Sequence, residues 1–283
     1  MDKGTVGIIG SGTMGRGIAQ VAAAVGYDVI LNDVADELLC RSVERLEKDL
    51  ARLVEKGKME DAARGALLSR IRTSTDVRDM EQADIVVEAI FENVDAKKQL
   101  FARHDEVCRE GVVLGSNSSS LSILDMAMAT KRPESVVGIH FFNPVPLMKG
   151  VELVCTIMTS FQTLEAARQF SVSLGKDTWV AKDAPGFLST RLLIPYLLDA
   201  MRLLENGFAT KEDIDTCCVL SFNYPMGPLT LADLIGLDVL LNISNGMYAS
   251  FKDARFAAPI LLEKMVKAGQ LGRKAGKGFY GYS

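Results

Sequence analysis

Residues 4–33 read GTVGIIGSGTMGRGIAQVAAAVGYDVILND. A short apolar run, VGIIG at 6–10, meets a glycine-rich turn and passes straight into a longer stretch with apolar residues at helical spacing; DVILND then forms a second run of strand length. Strand, tight turn, helix and strand make the first unit of a parallel sheet with a crossover helix. Gly10, Gly12 and Gly15 stand at GxGxxG spacing in the turn, with Thr13 and Met14 between the last two. The first glycine permits the turn, the second lets a pyrophosphate approach the backbone, and the third lets helix pack on strand. The helix N-terminus adds amide donors and the positive end of its dipole. These five residues are the expected pyrophosphate contacts, although glycines in a loop also serve tight packing alone. Asp33 ends the second strand, close to the ~20-residue spacing of a ribose-binding acid. It suits both adenosine hydroxyls and repels a 2'-phosphate, which predicts NAD rather than NADP. An Asp there is also an ordinary turn residue, and Arg41 and Lys48 downstream are cations that suit a 2'-phosphate.

The same rhythm continues outward. A charged helical stretch covers 36–56, strands are expected at 84–89, 112–115 and 136–141, and a helix at 96–108 lies between the first two of these. A strand at 151–156, a helix at 163–174 and a strand at 178–181 finish the sheet. Unbroken apolar strands fit a sheet covered on both faces. From Phe187 the chain reads almost wholly helical, with Pro185 suited to a helix first turn and breaks at Asn206-Gly207, Pro225, Gly227-Pro228 and Gly236. The expected fold class is α/β: a Rossmann-type, doubly wound, mostly parallel sheet over 1–183, binding NAD, followed by an all-helical domain over 184–283 for substrate and dimerisation. The helix 186–205 carries apolar residues around more than one stripe, so it is either central in the helical domain or lies at an isologous homodimer interface. Pro195 is expected to bend it.

Composition narrows the partners. The chain has 283 residues, 48% of them hydrophobic and 24% charged, and a formal net charge of −4. That balance gives no global attraction to nucleic acid or to an anionic membrane, so a small-molecule partner is expected. The five cysteines (Cys40, Cys108, Cys155, Cys217 and Cys218) lack CxxC spacing, which predicts reduced thiols and no zinc site. No metal is expected. The start has neither a signal-peptide pattern nor a membrane-length apolar run, and a soluble cytoplasmic protein is the expectation.

His140, one of two histidines, ends the apolar strand VVGIH just before FFNPVP. Carboxyl ends of strands in such a sheet face the ligand crevice. If the chain folds back across 143–150, Glu152 on VELV meets His140, orienting the imidazole and stabilising its protonated form. A histidine so held suits removal of a proton from an alcohol while hydride leaves the same carbon. The plainer reading is a satisfied structural histidine, and His104, inside the charged helix, is assigned to that class.

Several long motifs now stand in order: GSGTMG (10–15), VVEAIFEN (86–93), SNSSSLSI (116–123), HFFNPVPLMK (140–149) with Glu152, DAPGF (183–187), YPMGP (224–228) and GKGFY (276–280). With them the chain resembles the short-chain 3-hydroxyacyl-CoA dehydrogenase family from end to end, and within it the bacterial 3-hydroxybutyryl-CoA dehydrogenases. The resemblance implies an NAD-dependent oxidoreductase that interconverts 3-hydroxybutyryl-CoA and acetoacetyl-CoA, with His140 as general base and acid and Glu152 as its orienter. It implies Ser119 near the substrate oxygen and nicotinamide, Asn117 on the cofactor, Glu92 with Lys97 at the nicotinamide ribose, and Asn143 at the substrate. Arg52 and Lys56, four apart on one helix, are implied to meet the CoA phosphates. As plain sequence, the serine-rich stretch is also an ordinary turn and the basic pair a solvated face.

Two positions depart from the family pattern. Thr190 stands where relatives carry an asparagine whose amide bonds the thioester carbonyl, and it is retained here as a candidate catalytic contact with one donor. Gly150 stands where relatives carry a larger apolar residue. Two rival readings follow from the same fold: a non-catalytic dinucleotide-binding structural protein, and a dehydrogenase of free 3-hydroxyacids. The latter generally uses a lysine as acid/base, against which HFFNP argues.

Overall fold

A computed structural model describes residues 3–282. The chain divides into two compact units, one up to Ala184 and one from Pro185 onward.

The first unit opens as β1 (Thr5–Ile9), α1 (Thr13–Ala24) and β2 (Asp28–Asn32), followed by α2 (Asp36–Glu55), α3 (Asp61–Leu68) and β3 (Ile71–Ser74). Then come β4 (Ile85–Glu88), α4 (Val94–Val107), β5 (Val113–Ser116), α5 (Ile123–Ala127), β6 (Val136–Phe141), β7 (Gly150–Cys155), α6 (Phe161–Ser173) and β8 (Asp177–Lys182). The strands form one sheet in the order β3-β2-β1-β4-β5-β6-β7-β8, parallel throughout except where β7 runs against β6. This is the expected mostly parallel, doubly wound sheet. Its inner strands are apolar on both faces because helices cover both, and β4, β5 and β6 are buried along their whole length.

Local sequence sets the ends. Asp36 and Glu37 in the first turn of α2 and Arg52 in its last complement the helix dipole, while Leu39, Leu46 and Leu50 bury one face. Asn93 caps α4 by accepting from Ala96 N–H, and Ser160 caps α6 through Thr163 N–H. Asp183 caps α5 from a distance, accepting from the amides of Ile123 and Leu124.

α3 and β3 have no counterpart in the sequence reading. The IRTS of β3 has one apolar residue, and its polar, half-open pattern suits the sheet edge it occupies.

The second unit contains α7 (Ser189–Glu205), α8 (Lys211–Phe222), α9 (Pro228–Ile235), α10 (Leu237–Phe251) and α11 (Ile260–Lys267). Pro185 does not sit in a helix first turn, contrary to expectation. Gly186 at φ 77° and Phe187 at φ 46° hold the backbone in the left-handed region, so a right-handed helix starts only at Ser189. Along α7, Ile194, Leu197, Leu198 and Met201 are buried, while Leu192 and Leu203 remain exposed. The helix is therefore not covered all round within the chain.

Two buried aspartates organise this unit. Asp215 accepts from the amides of Leu229 and Thr230, capping α9, and a Cβ on Gly227 would lie 2.2 Å from its carboxyl carbon. Asp233 accepts from the amides of Phe279 and Tyr280, and Gly278 leaves room for it. The YPMGP and GKGFY motifs are thus scaffolding.

Candidate active site and cofactor pocket

The glycine turn has the form a pyrophosphate needs. Gly10 adopts φ 98°, which an L side chain resists, and a Cβ on Gly15 would stand 1.8 Å from the Gly10 carbonyl oxygen. Around Gly12 nothing lies within 4 Å of where a Cβ would be, so its bare backbone faces open space at the head of α1. Asp33 is drawn against this turn: one carboxylate oxygen accepts from Ser11 N–H at 2.7 Å and from Ser11 Oγ at 2.6 Å, and the other from Val34 N–H at 2.8 Å.

A cavity of about 790 Å³ opens between these elements, lined among others by Gly10, Gly12, Asp33, Arg41, Phe91 and His104. Residues present here fit a dinucleotide: an open glycine backbone, a helix N-terminus and an acid at the next strand end. Arg41 lines the same cavity, whereas Lys48 is not among its walls.

His104 proves to be a buried cavity wall. Its Nδ1–H donates to Leu100 O at 2.7 Å, and Nε2 is buried without a hydrogen-bond partner among the described residues. Burial pushes its pKa below the usual histidine value.

Next to the cavity lies a charged cluster. Lys97 Nζ is 2.6 Å from Glu88 Oε1 and 3.0 Å from Glu92 Oε2, with the lysine and Glu88 side chains each 1% exposed. Ser116 Oγ donates to Glu88, and the Ser118 hydroxyl and Ser119 N–H donate to Glu92. Burial pushes the Glu88 carboxyl up, against the pull of Lys97. Glu92 also feels burial, but Lys97 and the serine donors outweigh it and hold the carboxyl below the usual range. Lys97, expected at the ribose itself, instead has its ammonium enclosed between two carboxylates, and only Glu92 of the trio is open to a ligand. Glu88, Ser116 and Ser118 carry no signal in the sequence, since a carboxylate on a buried strand and serines in a turn have no spacing pattern of their own.

β6 and β7 bring His140 and Glu152 together. The antiparallel register pairs them directly, so both side chains leave the same face of the sheet. His140 Nδ1 lies 3.0 Å from Glu152 Oε2, with Glu152 fully buried. Because a carboxylate only accepts, Nδ1 carries the hydrogen and Nε2 is the basic nitrogen of the neutral ring. Asn117 Oδ1 accepts from Phe141 N–H at 2.9 Å, clamping the strand just past His140. Asn143 is exposed in the turn that follows, and Lys176 braces that turn by donating to the carbonyls of Val145 and Met148.

Arg52 and Lys56 are exposed at the end of α2, and Arg52 has Asp49 at 3.7 Å. Thr190 lies in the first turn of α7, in the second unit. Among the described residues no helix is long and apolar enough to cross a membrane, and no group of His, Cys, Asp and Glu is arranged to hold a metal.

Comparison with known proteins gives this arrangement its context. Residues 5–184 match the model for the NAD binding domain of 3-hydroxyacyl-CoA dehydrogenase, and residues 186–282 match the model for its C-terminal domain. The chain belongs to the 3-hydroxyacyl-CoA dehydrogenase family. A 3-hydroxybutyryl-CoA dehydrogenase of Clostridioides difficile is 44% identical over 98% of both chains, and one from Mycobacterium tuberculosis is 43% identical over the same share. The crystal structure of (S)-3-hydroxybutyryl-CoA dehydrogenase from Ralstonia eutropha superposes with a TM-score of 0.95 at 42% identity, covering 99% of each chain. The first unit is the family's NAD-binding, Rossmann-type domain, and the chain is an NAD-dependent oxidoreductase.

Proposed function

We propose that this protein interconverts a short 3-hydroxyacyl-CoA, 3-hydroxybutyryl-CoA in the first instance, with the matching 3-ketoacyl-CoA. The observation that carries the reading is the buried pair formed by His140 and Glu152 on facing strands, 3.0 Å apart. The names of the full-length relatives supply the substrate class.

NAD, when bound, supplies the hydride acceptor. Gly10, Gly12, Thr13, Met14 and Gly15 would hold its pyrophosphate, Asp33 its adenosine ribose, and Glu92 its nicotinamide ribose, positioned by Lys97. Asn117, whose carboxamide oxygen is already committed to Phe141 N–H, has amide hydrogens to offer the cofactor. His140 removes the hydroxyl proton at Nε2 as C3 is oxidised and returns it in reduction. Glu152 keeps the imidazole in the Nδ1–H tautomer and stabilises the imidazolium. Ser119 and Asn143 orient the 3-oxygen and acyl group, Thr190 bonds the thioester, and Arg52 with Lys56 attracts the CoA phosphates at the exposed end of α2.

The apolar side chains left open on the second unit, including Leu192, Phe208, Leu220 and Phe222, support a homodimer formed through it. Glu152 holding His140 supports a catalytic reading over a purely structural one, and a histidine rather than a lysine in this dyad favours the thioester over a free 3-hydroxyacid. The test is NADH oxidation with acetoacetyl-CoA beside free acetoacetate. Turnover of the thioester alone is expected; equal turnover of the free acid would move the assignment to the free-acid class.

A further inference from the structure

We propose that Trp179 is a third member of this pair, a positioning residue whose indole N–H fixes which oxygen of Glu152 meets His140. The proposal rests on the reading of His140 and Glu152 as the catalytic dyad. Glu152 is fully buried, and a carboxylate in that setting needs hydrogen-bond donors on its oxygens. Oε2 takes His140 Nδ1, and Oε1 takes Trp179 Nε1 at 3.2 Å. The sheet register makes this arrangement: Glu152 pairs with His140 on one side and with Trp179 on the other, so three adjacent strands present the three side chains in a row on one face. A carboxylate turns about its last torsion with a broad, roughly two-fold preference. A donor fixed on Oε1 removes that freedom and reserves Oε2 for the imidazole.

Ring packing closes the arrangement. Phe142, two residues beyond His140 and so on the same face, stacks on Trp179 with centroids 5.8 Å apart and leans on the His140 ring at 4.5 Å. His140, Glu152, Trp179 and Phe142 thus form a circuit of two hydrogen bonds and two ring contacts.

Gly150 supplies the independent observation. It precedes Glu152 by two residues on β7, and a Cβ there would fall 2.6 Å and 2.7 Å from Cζ3 and Cη2 of the indole. Its φ is not in the left-handed region, so the need for glycine comes from the volume of the indole and not from the backbone. Gly150 and Trp179 are one device: the missing side chain is the seat of the ring that donates to Glu152.

Trp179 is the sole tryptophan of the chain, which makes the test direct. In 15N-labelled protein one indole signal is expected, protected from exchange and moved by Glu152→Gln. Replacing the tryptophan with β-(3-benzothienyl)alanine keeps the ring and removes the N–H. That protein and Trp179→Phe should both lose about tenfold in kcat, the effect of one hydrogen bond to a charged group, with KM for NADH and acetoacetyl-CoA changed less than about twofold. Gly150→Leu should reproduce the kcat loss by displacing the ring. Native kcat in the benzothienyl protein, or an indole signal indifferent to Glu152→Gln, would overturn the proposal. Failure of the dyad reading would show separately, as activity that survives His140→Ala while the indole signal still reports on Glu152.

Discussion

Gly12 and Gly15 are three residues apart in one turn, yet the surroundings treat them oppositely: a Cβ at Gly15 meets the Gly10 carbonyl oxygen at 1.8 Å, while one at Gly12 meets nothing within 4 Å. Gly15 serves the fold, and Gly12 borders open space. Gly12→Ala should leave the unfolding free energy from urea denaturation within about 0.5 kcal/mol of the parent value and weaken NADH binding at least about tenfold. Gly15→Ala should lower both stability and binding. Fluorescence titration with NADH beside urea denaturation separates the two, and unimpaired NADH binding by Gly12→Ala would count against a pyrophosphate at that turn.

Lys97 bridges two carboxylates with a single positive charge. Lys97→Met removes the cation that opposes burial at Glu88, driving that carboxyl further toward its neutral form, and should destabilise the fold by up to about 3–5 kcal/mol, the range for broken buried pairs. Urea unfolding checks it. Glu92→Gln, at the more open end of the cluster, should act mainly on the KM for NADH.

His104 makes a pH-dependent contribution. Its folded pKa lies below the usual histidine value of about 6.5 because burial disfavours the charged ring. The unfolded chain therefore binds the proton first, so stability present above about pH 6.5 falls as pH drops toward the folded pKa. His104→Leu should flatten that part of the pH–stability curve, read as urea midpoints between about pH 5 and pH 8. An unchanged slope would remove His104 as its source.

Much of the first unit could be read directly from residues 4–33, because glycine spacing, helical periodicity and the strand-end acid all bear on one βαβ unit. His140 and Glu152 were legible as candidates, but their meeting depended on β7 running antiparallel to β6, which no local pattern dictates. β3 is silent in the sequence because an edge strand needs no apolar run. Trp179 is silent for a related reason: an indole on an outer strand reads as ordinary β-propensity, and its partner Gly150 reads only as a departure from relatives. Asp183, Asp215 and Asp233 carry no local signal because their partners lie far along the chain: the first two cap α5 and α9, and Asp233 holds the backbone amides of Phe279 and Tyr280.

Asp33 and Arg41 share the cavity. NADH should be preferred over NADPH by at least about a hundredfold in kcat/KM, and Asp33→Ser should narrow that gap by removing the charge opposed to a 2'-phosphate while keeping Arg41. Equal use of both cofactors by the parent protein would contradict the role given to Asp33.

Thr190 keeps one donor where the family pattern has a carboxamide. Thr190→Asn should raise turnover of acetoacetyl-CoA, measured as kcat/KM at saturating NADH; unchanged or lower values would take Thr190 out of the substrate contacts.

The central claim is that His140, oriented by Glu152, moves the proton of a 3-hydroxyacyl-CoA. Its most direct test is acetoacetyl-CoA-dependent NADH oxidation by His140→Ala, with NADH affinity measured on the same preparation. A loss of at least about a hundredfold in kcat with NADH affinity retained is the expected result for removal of a general acid. Turnover near the parent rate, with NADH still bound, would contradict it.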